Sequence, residues 1–164
     1  MNTTELRAPV SPGEPAPEFA LPTVEGTGTV SLADYRGKSS VFLALFIGLW
    51  CPFCRRAIAQ MASTEPELKA LGVETLAVVA TPPENARLYF KFRPCGLRVA
   101  ADPALATHRA YGVPKPASTP EMRGAPSARR VAIVLCRCAS NSALTRAANS
   151  GAASSTSRQL VMRQ

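Results

Sequence analysis

Two stretches of the chain consist largely of apolar residues, each about eight residues long. Residues 41–48 read VFLALFIG and residues 73–80 read VETLAVVA. Short apolar runs of this kind are typical of strands buried on both faces of a parallel sheet. Between them, apolar residues recur at roughly helical spacing over residues 52–70, although Pro66 interrupts the pattern, and Gly72 follows as a helix-ending glycine. The pattern predicts two adjacent parallel strands joined by a right-handed helical crossover.

Shorter elements are predicted on both sides of this unit. The Pro-rich residues 1–22 read as an extended lead-in, and residues 29–32 read as a short edge strand. Downstream, the sequence predicts a helix at about residues 82–92, a strand at residues 97–100 and a helix at about residues 102–111. Strands that alternate with helices indicate an α/β fold with a sheet covered on both faces.

The pattern weakens beyond residue 115. Residues 131–135 read as a strand, but the Ser- and Ala-rich residues 139–157 show little periodicity and no acidic residue, which is typical of disorder. The sequence therefore predicts an extended lead-in at residues 1–12, one folded domain at residues 13–115, and an atypical basic tail at residues 116–164.

The net charge of +8 lies mainly in that tail. Residues 1–120 carry 12 Lys and Arg against 10 Asp and Glu, whereas residues 121–164 carry seven Arg against one Glu. No aromatic residue follows Tyr111, so the tail has no stacking platform for bases, and no nucleic-acid partner is expected. No run of 18 apolar residues occurs, so no membrane partner is expected either.

Cysteine usage bears on the compartment. The five cysteines have an odd count and lack the regular spacing of a disulfide scaffold. The first 22 residues do not combine a basic start with an apolar run, so they do not read as a secretory signal. We therefore expect a cytoplasmic location, where a disulfide is transient and catalytic.

The candidate chemistry lies where the first apolar run meets the helix, in Trp50-Cys51-Pro52-Phe53-Cys54-Arg55-Arg56. A Cys-x-x-Cys pair at a helix N-terminus is next to unpaired N–H groups and the positive end of the helix dipole, which stabilise a thiolate. Pro52 suits the first helical position. Cys51, nearer the helix start, is predicted to be the exposed attacking thiolate, and Cys54 is predicted to resolve the mixed disulfide.

Four further residues are candidates for a part in this chemistry. Trp50 either shields the sulfur and forms part of a partner groove or packs ordinarily, and Arg55 either lowers a thiol pKa or is a solvated helix charge. Cys95 is either a resolving thiol or incidental. His108 is predicted to be a surface histidine.

Two alternatives to redox chemistry stay open. Cys-x-x-Cys is a common half of a zinc site, which Cys136, Cys138 and His108 could complete in a zinc-stabilised domain. The pair could also be inert and buried, in a domain that only binds partners.

Several motifs along the chain match one family in order and spacing. They are GEPAPEFALP at residues 13–22, VSLADYRGK at residues 30–38, the strand at 41–48, the motif from Trp50 to Arg56, Ala-Asp-Pro at residues 101–103 and Ala-Tyr-Gly-Val at residues 110–113. Over about residues 10–115 the chain resembles the thioredoxin-like superfamily, specifically its peroxiredoxin-like branch, the alkyl hydroperoxide reductase/thiol-specific antioxidant (redoxin) family. The resemblance implies a thioredoxin-like sheet with helices on both faces.

The resemblance also implies an activity. It indicates a thiol–disulfide oxidoreductase that uses Cys51 and Cys54, with Trp50, Pro52 and Arg55 in support, or alternatively a peroxiredoxin that reduces hydroperoxides. The implied substrate is a protein or small-molecule disulfide, or a hydroperoxide, and the implied electron donor is a thiol system such as thioredoxin or glutathione. No cofactor and no metal are expected.

Two departures from the family pattern affect these expectations. Peroxiredoxins place a Thr or Ser three residues before the attacking Cys, but here Gly48 precedes Cys51 by three and Cys51 itself precedes Cys54 by three. Slow peroxide reduction is therefore expected. Residues 116–164 also lack the family's Asp-x-x-Gly hairpin, so the C-terminal part of the fold is expected to be atypical or incomplete. Thr119-Pro120 falls where thioredoxin-like proteins carry a cis-proline, but a plain loop is expected there.

Overall fold

The computed structural model of the chain describes residues 8–11, 13–113 and 131–136. In chain order the elements are β1 (Ala20–Pro22), β2 (Thr29–Ser31), a 3₁₀ turn (Leu32–Tyr35), β3 (Ser40–Phe46), α1 (Pro52–Ala70), β4 (Val73–Val79), α2 (Pro83–Phe92), β5 (Arg98–Ala101), α3 (Ala106–Ala110) and β6 (Val131–Cys136). The strands form a two-stranded sheet, β1-β2, and a four-stranded sheet in the order β5-β4-β3-β6.

The two apolar runs form the centre of the larger sheet. Strands β3 and β4 are parallel neighbours, with Ser40 opposite Val73 and Phe46 opposite Val79, which confirms the predicted crossover unit. Strand β5 adds to β4 in parallel, and β6 adds to β3 in antiparallel orientation. The strand predicted at residues 131–135 is thus part of the sheet, whereas β1, which pairs with the predicted edge strand β2, was not predicted.

Helix α1 begins and ends where the sequence predicts but does not break at Pro66. Pro66 lies on the exposed side of the helix, where the carbonyl that loses its N–H partner can bind water. The opposite side carries Cys54, Ile58 and Met61, at the spacing of one helix face, into the core. Among the described helices, none is both long and apolar enough to cross a membrane.

Each face of the large sheet has its own apolar cluster. On one face, α1 and α2 pack through residues that include Ile58, Met61 and Ala86. The other face is covered by the β1–β2 hairpin, by the 3₁₀ turn and by Tyr111 after α3. The prediction of helices on both faces therefore holds fully for one face, while strands and a short helix share the other.

Helix α3 is shorter than predicted because Asp102 caps it from a distance. The Asp102 carboxylate accepts the backbone N–H groups of Ala106 at 3.1 Å and Thr107 at 2.7 Å, so residues 103–105 form a turn before the helix. The prediction of a surface His108 is wrong, since only 3% of His108 is exposed. Its Nδ1 lies 4.0 Å from an oxygen of Asp102, because the inward face of α3 brings the two together.

Asp102→Ala is expected to lower the free energy of unfolding by about 1–3 kcal/mol near neutral pH, since it removes a buried helix cap. Burial alone raises the pKa of the Asp102 carboxyl, but His108 and the backbone N–H groups of α3 outweigh burial and hold this pKa below its usual value. The stabilisation is therefore complete above the pKa of an unfolded Asp and is lost as pH falls through the lower, folded value.

Urea unfolding of wild type and Asp102→Ala from about pH 7 down to about pH 3 measures this effect, and the difference between them should shrink towards acid. Asp34→Ala is the matched control, because Asp34 also accepts a backbone N–H, from Ser31 at 2.8 Å, but is exposed. A loss for Asp34→Ala as large as that for Asp102→Ala would contradict the role of burial.

Candidate active site

The Cys-x-x-Cys motif lies at the carboxyl edge of the large sheet. Strand β3 ends at Phe46, and five residues later Cys51 occupies the N-cap of α1, with Pro52 at the first helical position as predicted. The Cys51 carbonyl accepts the N–H of Arg55 at 3.2 Å and so begins the helix. This placement next to the unpaired N–H groups of the first turn favours a thiolate at Cys51.

Both cysteines are fully buried, with 0% of either residue exposed. The prediction that Cys51 is the exposed thiol is therefore wrong. Both side chains belong to the apolar cluster between the sheet and α1, together with Ile47 and Leu49 of the preceding loop. A molecule in solution can reach either sulfur only when this loop or the first turn of α1 moves.

The thiol of Cys54 is held in its protonated form. Burial raises the pKa of Cys54 to about 12, with further increases from its hydrogen bond to Cys51 and from the charge on Cys51. Backbone hydrogen bonds involving Ile47 and Gly48 act in the opposite direction and are outweighed. Cys54 thus keeps its proton at neutral pH, and a protonated neighbour hydrogen-bonded to Cys51 stabilises negative charge on the Cys51 sulfur.

Gly48 shapes the loop before the motif. Its φ is +146°, and a Cβ at this position would lie 2.5 Å from Nε1 and 2.7 Å from Cδ1 of the Trp50 indole. A side chain at the position where a peroxiredoxin has Thr or Ser would therefore strain the backbone here and displace the Trp50 indole. Trp50 itself is 66% exposed, so ordinary core packing does not describe its place.

Arg55 holds the same loop from the helix side. Its Nε donates to the carbonyl of Leu49 at 2.5 Å, and Nη2 donates to the carbonyl of Trp50 at 3.3 Å. Thr81 holds the loop from the sheet side, since its Oγ1 accepts the N–H of Leu49 at 3.0 Å. Arg55 is therefore not a free solvated charge but a residue that fixes the backbone before Cys51.

Two functional contributions were not predicted from the sequence. Thr81 follows β4 directly, and the carboxyl ends of adjacent parallel strands form one edge, so its position after the second apolar run was the available signal. The other is an aromatic contact: the Arg55 guanidinium lies 5.8 Å and the Arg93 guanidinium 5.2 Å from the centroid of the Tyr89 ring on α2. No sequence spacing indicated the contact between Arg55 and Tyr89, because it joins two helices.

Among the described residues, the ligands that would complete a zinc site do not lie beside the Cys-x-x-Cys motif. Cys136 pairs with Val41 near the start of β3, whereas Cys51 follows the end of that strand, about five residues or roughly 17 Å away along the sheet. His108 is buried beside Asp102 instead. Within the described ranges, no three His, Cys, Asp or Glu residues lie together as a metal site.

The remaining candidates are Cys95, Cys138 and Thr119-Pro120. Cys95 is a half-buried free thiol that packs against the apolar cluster containing Cys51 and Cys54, and burial raises its pKa. Cys138, Thr119-Pro120 and the predicted tail, apart from β6, lie outside the described residues.

Comparison with known proteins decides the family. A model of the AhpC/TSA family matches residues 12–135, which is well over half of the sequence and includes both motif cysteines. The chain belongs to the AhpC/TSA family. The predicted resemblance is thereby confirmed.

Individual relatives of this AhpC/TSA protein carry related names. It is 38% identical over 103 residues to the thiol-disulfide oxidoreductase ResA of Halalkalibacterium halodurans, a match that covers 62% of this chain and 56% of the relative. A crystal structure from Chlorobium tepidum, described as a thiol:disulfide interchange protein DsbE, is 34% identical with a TM-score of 0.57 and covers 64% of this chain and 72% of that one.

A third similarity concerns the fold alone. The reduced 2-Cys peroxiredoxin of Plasmodium vivax superposes with a TM-score of 0.63 at 20% identity, over 77% of this chain and 66% of that one. The AhpC/TSA chain therefore has the predicted α/β, thioredoxin-like fold. It spans little more than half the length of the curated relative that it matches.

Proposed function

We propose that this chain is a thiol–disulfide oxidoreductase in which Cys51 is the nucleophile and Cys54 the resolving thiol. The observation that carries the proposal is the placement of the pair: Cys51 occupies the N-cap of α1, and the thiol of Cys54, whose pKa is raised to about 12, is hydrogen-bonded to it. Cys54 thus keeps its proton, while the helix N-terminus and this hydrogen bond favour negative charge on the Cys51 sulfur. The names of the two relatives above 30% identity support the same activity.

The reaction is an exchange of disulfides that conserves electrons. The Cys51 thiolate attacks one sulfur of the substrate disulfide, forms a mixed disulfide and releases the first substrate thiolate. Cys54 then attacks the Cys51 sulfur and releases the second substrate sulfur, which takes up the proton that Cys54 gives up and leaves as a thiol. The dithiol gives two electrons to the substrate and becomes the Cys51–Cys54 disulfide, which an external thiol donor of the thioredoxin or glutathione type reduces again.

The loop before Cys51 supplies the positioning for this exchange. Arg55 and Thr81 bind the backbone of residues 49 and 50 from opposite sides, so they fix the backbone that leads into Cys51 while the loop is closed. The exposed Trp50 and Phe53 flank Cys51 in the sequence and offer apolar surface to a partner. Protein or small-molecule disulfides are the proposed substrates.

Hydroperoxide reduction is the second candidate, favoured by the match to the AhpC/TSA family. It requires hydrogen-bond donors that hold the peroxide and stabilise the leaving oxygen. Gly48 supplies no hydroxyl at the family's position, so we rank peroxide below disulfides. The cytoplasmic location and the domain boundaries after residues 12 and 115 stay predictions.

The test is the reduction of hydroxyethyl disulfide, a small neutral substrate, by the reduced protein in the presence of a regenerating thiol. We expect turnover, and titration of free thiols after mild oxidation should show the loss of two thiols that peptide mapping assigns to Cys51 and Cys54. Since Cys54 stays protonated, alkylation of the reduced protein near neutral pH should label Cys51 before it labels Cys54. Absence of both turnover and the internal disulfide would indicate the redox-inert binding domain instead.

A further inference from the structure

A pair of cations shares one aromatic ring beside the redox motif. The guanidinium groups of Arg55 and Arg93 lie 5.8 Å and 5.2 Å from the centroid of Tyr89. Both arginines are exposed, and within the part of the chain that the structure describes neither forms an ion pair with a carboxylate. Two cations at one ring that form no ion pair among the described residues attract an anion.

The local charge balance is strongly positive. Residues 50–56 and 81–93 together contain five Arg and Lys, against Glu84 as the one acidic residue. Two of these cations are directed elsewhere, since Arg87 donates to the carbonyl of Thr23 at 3.4 Å and Lys91 lies 5.9 Å from the ring of Phe92. The two cations at the Tyr89 ring are Arg55, which belongs to the motif, and Arg93, which follows α2.

Two exposed apolar side chains belong to the same motif as Arg55. Trp50 is 66% and Phe53 is 47% exposed, and Arg55 is bonded to the carbonyl of Trp50 while it also contacts Tyr89. Arg55 therefore connects the motif to α2. We call the surface formed by Trp50, Phe53, Arg55, Tyr89 and Arg93 the cationic aromatic patch.

We propose that the cationic aromatic patch docks polypeptide substrates that carry Asp or Glu side chains beside the disulfide; this rests on the proposed disulfide exchange. The arginine fork matches the geometry of a carboxylate, and the exposed rings give apolar contact to the substrate residues between that carboxylate and the sulfur. A polypeptide can span ring and cations at once, whereas hydroxyethyl disulfide has no anion to offer. The patch thus selects among disulfides by the charge around them.

Three disulfide peptides that differ only in the residues next to the cysteines, as Glu, Gln or Lys, test the proposal. We expect kcat/KM in the order Glu, Gln, Lys, with a preference for Glu over Gln of about two- to five-fold that shrinks as salt rises. Arg93→Gln should reduce the Glu-over-Gln ratio, and Arg93→Glu should invert it. Lys91→Gln is the matched control, since it removes a nearby cation of the same helix that does not contact Tyr89, and its ratio should equal that of wild type.

Each other outcome overturns the docking surface. Equal rates for the three peptides, or the same loss of preference in Lys91→Gln as in Arg93→Gln, exclude a role for this patch while turnover of hydroxyethyl disulfide upholds the oxidoreductase. Glutathione disulfide that outperforms the Glu peptide, with the same dependence on Arg93, assigns the patch to a small carboxylate-bearing disulfide instead of a polypeptide. Failure to reduce any disulfide, hydroxyethyl disulfide included, overturns the proposed function and the docking surface together.

Discussion

Cys51→Ser is expected to abolish disulfide reduction, with a loss of about a thousandfold or more in kcat/KM. The hydroxyl of serine stays protonated at neutral pH and cannot form the mixed disulfide. The raised pKa of Cys54 keeps the second sulfur from replacing the first as the nucleophile. Turnover of hydroxyethyl disulfide measures the loss, and full activity of Cys51→Ser would refute the assignment of roles.

Cys54→Ser is expected to stop the reaction one step later. The mixed disulfide between Cys51 and the substrate has no internal thiol to resolve it, so it should accumulate and appear as a mass increase equal to the attached substrate half. Cys95→Ser is the matched control: Cys95 is a free cysteine that packs against the same apolar cluster, and its removal should leave both activity and intermediate unchanged. If Cys54 alone proved essential, the attacking sulfur would have to be reassigned.

Oxidation of the reduced protein by hydrogen peroxide is expected to be slow compared with its reaction with a small disulfide. Peroxide cleavage depends on groups that bind both oxygens, and the residue at the family's hydroxyl position is Gly48, which has no side chain. Stopped-flow measurement of tryptophan fluorescence follows the reaction, and a fast, saturating oxidation would reverse the order of the two candidate activities.

Restoring the hydroxyl should not restore the activity. In Gly48→Thr, the new Cβ would overlap the Trp50 indole, and the φ of +146° is unfavourable for a β-branched residue, so we expect lower stability and no gain in peroxide rate. Gly28→Thr is the control, because a Cβ at Gly28 meets only the side chain of Thr23, at 3.7 Å. A faster peroxide reaction in Gly48→Thr would show that the missing hydroxyl was the only obstacle.

The parts of the fold that follow from sequence periodicity were predictable. The apolar runs predicted β3 and β4 with their parallel pairing, and the position of Pro52 predicted the first residue of α1. Strand β1 was not predicted, because its three residues in a Pro-rich segment carry too little pattern and are defined by their pairing with β2. The burial of His108 was missed for a similar reason, since it depends on the distant cap at Asp102.

The site shows the same division between local and tertiary information. The sequence identified Cys51 and Cys54 through their spacing and their place between strand and helix. It could not predict the burial of Cys51, which depends on how the preceding loop closes over the apolar cluster. Contacts between elements, such as the bond from Leu49 to Thr81, join residues 32 positions apart and have no signature in the spacing of either segment.

The complete burial of both sulfurs has a consequence for the survival of the protein under oxidative stress. A buried thiol is damaged only during the fraction of time in which the surrounding loop is open, so irreversible conversion to sulfinic or sulfonic acid is limited by that opening. Arg55 and Thr81, which bind the loop from two sides, therefore determine the lifetime of the dithiol as well as its orientation. The contacts that slow access of substrate are the same contacts that protect the thiols between catalytic cycles.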